Sequence, residues 1–127
     1  PEVDNSGYDI ILEHYGVIRH VQLKATKKGG RTSRQNIHLS LAKKPSGCVV
    51  WIFFDEVTLE LGPYLFLGGK PGKKLPALTK YKSAKHTKGD STGVKGERPN
   101  LRVVPKASFE IVKTDGDIWR SLFGNAK

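Results

Sequence analysis

The chain has 127 residues, a formal net charge of +10 and a pI near 9.8. That length suits one domain with a sizeable core, and the charge favours a polyanionic partner, either nucleic acid or an anionic membrane surface. No apolar run reaches the roughly 18 residues of a membrane-spanning helix, and the single cysteine, Cys48, excludes an intrachain disulfide; a cytoplasmic, intracellular setting without membrane attachment is expected.

Residues 1–7 read Pro-Glu-Val-Asp-Asn-Ser-Gly, an acidic, turn-rich approach to the first strand. Glu2 and Asp4 lie near enough in sequence to join Asp9 at a cation. The sequence holds no methionine, so its natural N-terminus is expected to lie ahead of Pro1. Two apolar-patterned stretches follow, Gly7–Leu12 and Val21–Thr26, and they predict a hairpin with Tyr15-Gly16 at its tip, where glycine supplies a positive φ. Paired positions then sum to 31, which sets Asp9 opposite Gln22. Side chains alternate along a strand and opposed Cβ atoms lie about 5 Å apart. One face therefore carries Asp9, Ile11, Glu13, His20, Gln22 and Lys24; the other carries Tyr8, Ile10, Leu12, Val21, Leu23 and Ala25 and is the core side.

Lys27, Lys28, Arg31 and Arg34 make the next loop cationic. Ile37, Leu39 and Leu41 alternate with polar or small residues, as a half-buried strand does, and Lys43–Gly47 reads as a turn. Cys48–Phe54 is apolar without alternation, the pattern of a strand covered on both faces at the centre of a sheet. Cys48 itself reads as a buried structural thiol. Tyr64–Leu67 predicts one more short strand. Between about 68 and 100 the chain turns basic and partly irregular, with nine Lys or Arg against two acids. Leu75, Leu78 and Tyr81 suggest a short helical stripe there, and His86 to Pro99 a long surface loop. Leu101–Val104 and Ser108–Val112 read as strands. Asp117 as N-cap and Gly124 as C′ residue bound a final short helix whose Trp119, Leu122 and Phe123 pack on the body.

The chemistry concentrates on the hairpin. Phosphodiester hydrolysis uses a divalent cation to polarise the phosphate and activate water, and Mg²⁺ takes hard oxygen ligands while keeping several waters. Asp9 offers a carboxylate, Gln22 an amide oxygen and Leu23 a backbone carbonyl. Lys24 is placed to orient the water and offset charge on the phosphate. His20 shares that face. His38 and His86 have no partners at metal-ligand spacing, which disfavours zinc. Lys27, Lys28, Arg31 and Arg34 follow the motif directly and would lie along a phosphate backbone.

Asp9, the hairpin and Gln22-Leu23-Lys24 resemble the PD-(D/E)xK nuclease superfamily in its glutamine variant. Gly7-Tyr8-Asp9-Ile10 and Val21-Gln22-Leu23-Lys24 are similar to Mrr-like restriction endonucleases and archaeal Holliday-junction resolvase relatives, over about the first 26 residues. The resemblance implies one nuclease-like α/β domain over 1–127, with a restriction-endonuclease-like core, a central mixed sheet and flanking helices. It also implies Mg²⁺-dependent (or Mn²⁺-dependent) cleavage of DNA, frequent homodimerisation, and a further domain or partner for target recognition. The helix that precedes the aspartate strand in this superfamily is absent from the sequence and is expected ahead of Pro1. Gln22 also stands where an acid is commoner, so a non-catalytic nucleic-acid-binding module with the same fold is the alternative expectation. A membrane-surface role, supported by charge alone, ranks last.

Overall fold

A computed structural model describes residues 8–85 and 97–124. The hairpin forms as its pattern predicts. β1 (Tyr8–His14) pairs antiparallel with β2 (Val17–Lys27), with Asp9 opposite Gln22. Tyr15 and Gly16 at the tip both adopt positive φ, 48° and 80°, so the turn is of the primed kind that matches strand twist.

β3 (Arg34–His38) leaves this sheet and a 3₁₀ turn, Leu39–Lys43, follows it. The expected strand thus stops at His38, whose ring accepts a hydrogen bond from the Ser40 amide and caps the turn. Ile37 and Leu41 both reach the core, which explains why their spacing mimics a strand. β4 (Gly47–Phe54) then returns parallel to β2, and β5 (Leu61–Gly68) pairs antiparallel with β4. β5 is longer than expected, beginning before the cis Gly62–Pro63 bond.

Leu75 and Leu78 are buried, but their segment forms only a 3₁₀ turn at Leu78–Lys80, ahead of β6 (Ser83–Lys85). Most of the expected 86–99 loop lies outside the described residues, as do Glu2 and Asp4; from Glu97 onward the chain is strand. β7 (Glu97–Pro105), a 3₁₀ turn at Lys106–Ser108, β8 (Glu110–Val112) and α1 (Asp115–Phe123) complete the order.

The strands form two sheets, β1-β2-β4-β5-β8 and β3-β7-β6. The first is mixed, since β2 and β4 run parallel while its other pairs are antiparallel. β4 is its middle strand and is buried on both faces, as its unbroken apolar run requires. One face packs on α1, with Val21, Cys48, Val50, Tyr64 and Phe66 against Ile118, Leu122 and Phe123. The other face packs on the second sheet, with Val49, Trp51, Leu65 and Leu67 against Ile37 and Val104. A helix was expected on each face. Here the three-stranded sheet replaces one of them, because Ile37 and Val104 give β3 and β7 an apolar side of their own.

Candidate functional site

β2 is the strand on which the site is built, and register decides which way its side chains point. Gln22 pairs with Val49 and Lys24 with Trp51, so both share the face that looks toward the second sheet. Gln22 and Lys24 are each only 4 % exposed. Lys24 Nζ donates a 2.9 Å hydrogen bond to the backbone carbonyl of Asn36, which shows that β3 lies over this part of β2. A buried ammonium must be hydrogen-bonded to be tolerated, and Asn36 meets part of that need. Thr26, next on the same face, accepts a 3.0 Å hydrogen bond from the indole of Trp51. The face expected to be polar and open is therefore roofed along β2.

Asp9 differs. β1 is one strand further out, and both Asp9 and Ile11 are exposed. Asp9 lines a cavity of about 150 Å³ together with His20, Lys44, Leu41 and Ile11. The imidazole of His20 makes a 2.8 Å contact from Nδ1 to the Pro45 carbonyl. A carbonyl can only accept, so Nδ1 is the donor in this contact. The structure thus brings Asp9 together with His20 and Lys44, while Lys24 belongs to the layer between the sheets.

Lys44 was absent from the residues singled out in sequence. It reaches the site because β2 and β4 pair in parallel, with His20 beside Gly47, which draws the Lys43–Gly47 turn across the hairpin. Leu23 lies between Tyr8 of β1 and Val50 of β4, so its peptide is part of the sheet ladder. Among the described residues there is no group of three or more His, Cys, Asp or Glu able to hold a metal ion. Asp9 and Gln22 stand at opposed positions, but the Gln22 side-chain oxygen is buried and the Asp9 carboxylate is the one open to solvent, where a hydrated Mg²⁺ could meet a hard oxygen.

Lys27, Lys28, Arg31 and Arg34 are all exposed, on the connection that carries the chain from the first sheet to the second. Lys27 lies 3.9 Å from Glu56, the one ion pair formed by these four among the described residues.

Arg19 was also missed. It shares the helix-facing side of β2 with Val21 and Leu23 and is fully buried. Its Nη1 donates to the carbonyls of Gly69, at 3.1 Å, and Leu122, at 3.3 Å, and its guanidinium lies over the Phe66 ring. Nε and Nη2 are buried with no hydrogen-bond partner among the described residues. Its position at the C-terminal end of α1 suits a cation, because the last helical carbonyls carry partial negative charge. The signal in sequence was its place two residues before Val21 on the apolar face. Cys48 is fully buried, and that burial pushes its thiol pKa up, with Arg19 opposing the shift. It is a structural thiol, as expected.

Compared with known proteins, the chain matches no family model, no curated protein and no solved structure. No helix among the described residues is long and apolar enough to cross a membrane.

Proposed function

We propose that this protein is a metal-dependent endonuclease that hydrolyses DNA phosphodiester bonds, with a restriction-endonuclease-like core of the PD-(D/E)xK kind. One observation carries the reading: Asp9 stands across from Gln22 on adjacent strands, and Lys24 follows on the same face. The mixed sheet with a helix packed on one face is in keeping with it. Asp9 would hold a Mg²⁺ or Mn²⁺ ion, with Gln22, buried across the strand pair, as the second oxygen. When bound, that ion polarises the phosphate and lowers the pKa of its water. The exposed Asp9 carboxylate gives the ion access to solvent and substrate. Lys27, Lys28, Arg31 and Arg34 fix the phosphate backbone along the hairpin without reading sequence. The 150 Å³ beside Asp9 is too small for a nucleotide, whose pockets begin near roughly 300 Å³, and suits a single phosphate.

Binding without cleavage is the second reading, and the Lys24–Asn36 hydrogen bond favours it, because it turns the motif lysine away from solvent. The two are separated by incubating supercoiled plasmid with the protein in Mg²⁺ or Mn²⁺, with and without chelator, beside Asp9→Asn. Metal-dependent nicking that Asp9→Asn abolishes supports the nuclease. Salt-sensitive DNA binding with no nicking under any metal supports the binding module.

A further inference from the structure

The hairpin tip and α1 meet in an aromatic cluster at the margin of the core, of which Phe123 alone belongs to the core. His14 lies 4.6 Å from the Tyr15 ring at 89° and 4.8 Å from Trp119 at 71°; Trp119 lies 4.7 Å from Phe123 at 54°. None of the three is a flat stack. Phe123 is buried, but Tyr15 is 74 % exposed and Trp119 45 %.

Tyr15 also occupies a costly conformation. Its φ of 48° lies in the left-handed region, where the first position of such a turn selects Asn, Asp or Gly. A bulky aromatic there is strained, and it packs on a half-buried histidine rather than into the core. Strain at an exposed aromatic points to a role outside folding.

At the tip the Glu13 carboxylate accepts a 3.2 Å hydrogen bond from the Gly16 amide, and a cationic loop adjoins the C-terminal end of α1. Lys70, Lys73 and Lys74 are exposed on the loop after β5, and no carboxylate lies within ion-pair distance of them among the described residues. That loop adjoins the end of α1 across a cavity of about 430 Å³, lined by Gly69, Lys70 and Pro71 on one side, Arg120 and Ser121 on the other, and Glu110. The volume falls in the range that holds one small ligand or nucleotide unit.

We propose that Tyr15 and Trp119 form a stacking platform for unpaired bases of a single-stranded stretch of nucleic acid, whose phosphates run toward the Lys70–Lys74 loop. This rests on the nucleic-acid reading above and narrows its substrate class to strands with unpaired ends, forks or branches. Stacking on aromatic faces tolerates any base, and lysines track the backbone beside it. The platform sits at one end of β2 and the Lys27–Arg34 loop at the other. Eleven residues of strand separate them, about 35 Å, close to one turn of duplex. A duplex held at the basic loop would thus present its frayed end to Tyr15 and Trp119.

The test is fluorescence anisotropy in chelator, with labelled single strand, forked duplex and blunt duplex, for wild type, Tyr15→Asn and Trp119→Ala. Wild type should prefer the single strand and the fork. Each variant should lose about tenfold on those two and keep its affinity for the blunt duplex. Tyr15→Asn should at the same time raise the melting temperature, which a purely structural tyrosine would not do. Equal wild-type affinity for blunt and forked duplex overturns the proposal. So do variants that keep full affinity for every oligonucleotide, a result that would assign the patch to a protein partner. Single-strand binding without plasmid nicking would sink the nuclease reading alone, whereas absence of binding to any oligonucleotide would sink both.

Discussion

Lys24 shows why a motif residue must be tested with attention to burial. Its ammonium is tied to Asn36 beneath the second sheet, so Lys24→Ala removes a buried hydrogen bond and opens a cavity in one step. A loss of about 2 kcal/mol or more in urea unfolding is expected. Lys24→Met, which keeps the chain length, should recover most of that while still removing the ammonium. Tyr64 offers a second residue-scale outcome. Its hydroxyl donates to the Asp115 carboxylate, and burial followed by that partner raises its pKa to about 12. The folded state therefore keeps the proton that the unfolded chain releases near pH 10. The stability linked to Tyr64 is complete below pH 10 and is lost as pH rises to about 12. Tyr64→Phe should flatten the decline in melting temperature over that window. Asp117 behaves with the opposite sign. Thr114 and then Arg120 hold its carboxyl pKa down, so its contribution is present at neutral pH and fades as acid protonates it.

At the scale of elements, the hairpin was legible because Tyr-Gly interrupts two alternating stretches, and period two then fixes every pair. The final helix was legible too, though its start was not, and Ile118 rather than Trp119 is buried with Leu122 and Phe123. Thr114, not Asp117, is the N-cap: its Oγ1 accepts from the Asp117 amide at 3.1 Å, so α1 begins at Asp115. Thr114-Asp115-Gly116-Asp117 offers competing caps, and local sequence does not rank them. Thr114→Ala should cost about 1 kcal/mol in chemical denaturation. The connection of α1 to β2 was hidden altogether. Arg19 was not singled out in sequence, and the docked helix end and the Gly69 carbonyl are what make its burial tolerable. Arg19→Ala leaves those carbonyls unpaired and a void behind, with an expected loss of about 2–5 kcal/mol.

For the whole molecule, the central strand and the basic balance followed from composition and pattern, and the mixed sheet was expected from the resemblance alone. The second sheet did not, because β3 and β7 are far apart in sequence and each is patterned only in part. That same sheet decides the site: it roofs Gln22 and Lys24 and leaves Asp9 open, a separation no spacing rule contains. The charge has a measurable consequence of its own. If Lys27, Lys28, Arg31 and Arg34 all contact phosphates, replacing the four with glutamine should reduce the slope of log K against log salt by about 3–4 on duplex DNA. An unchanged slope would place the duplex elsewhere on the surface.

β1 is the outer strand of its sheet, with a hydrogen-bonded neighbour on one side only among the described residues. Its free edge could template a foreign strand, and Asp9 and Glu13 are the charges that keep such an edge soluble. Asp9 is thus also a guard against self-association. Asp9→Ala would leave Tyr8 to Leu12 without a charge, and light scattering should show larger species on concentration. Asp9→Lys removes the oxygen ligand yet keeps the edge charged, so it should remain as dispersed as the wild type while losing any metal-dependent activity. The same carboxylate would then serve two ends, chemistry and colloidal stability, and the pair of substitutions separates them.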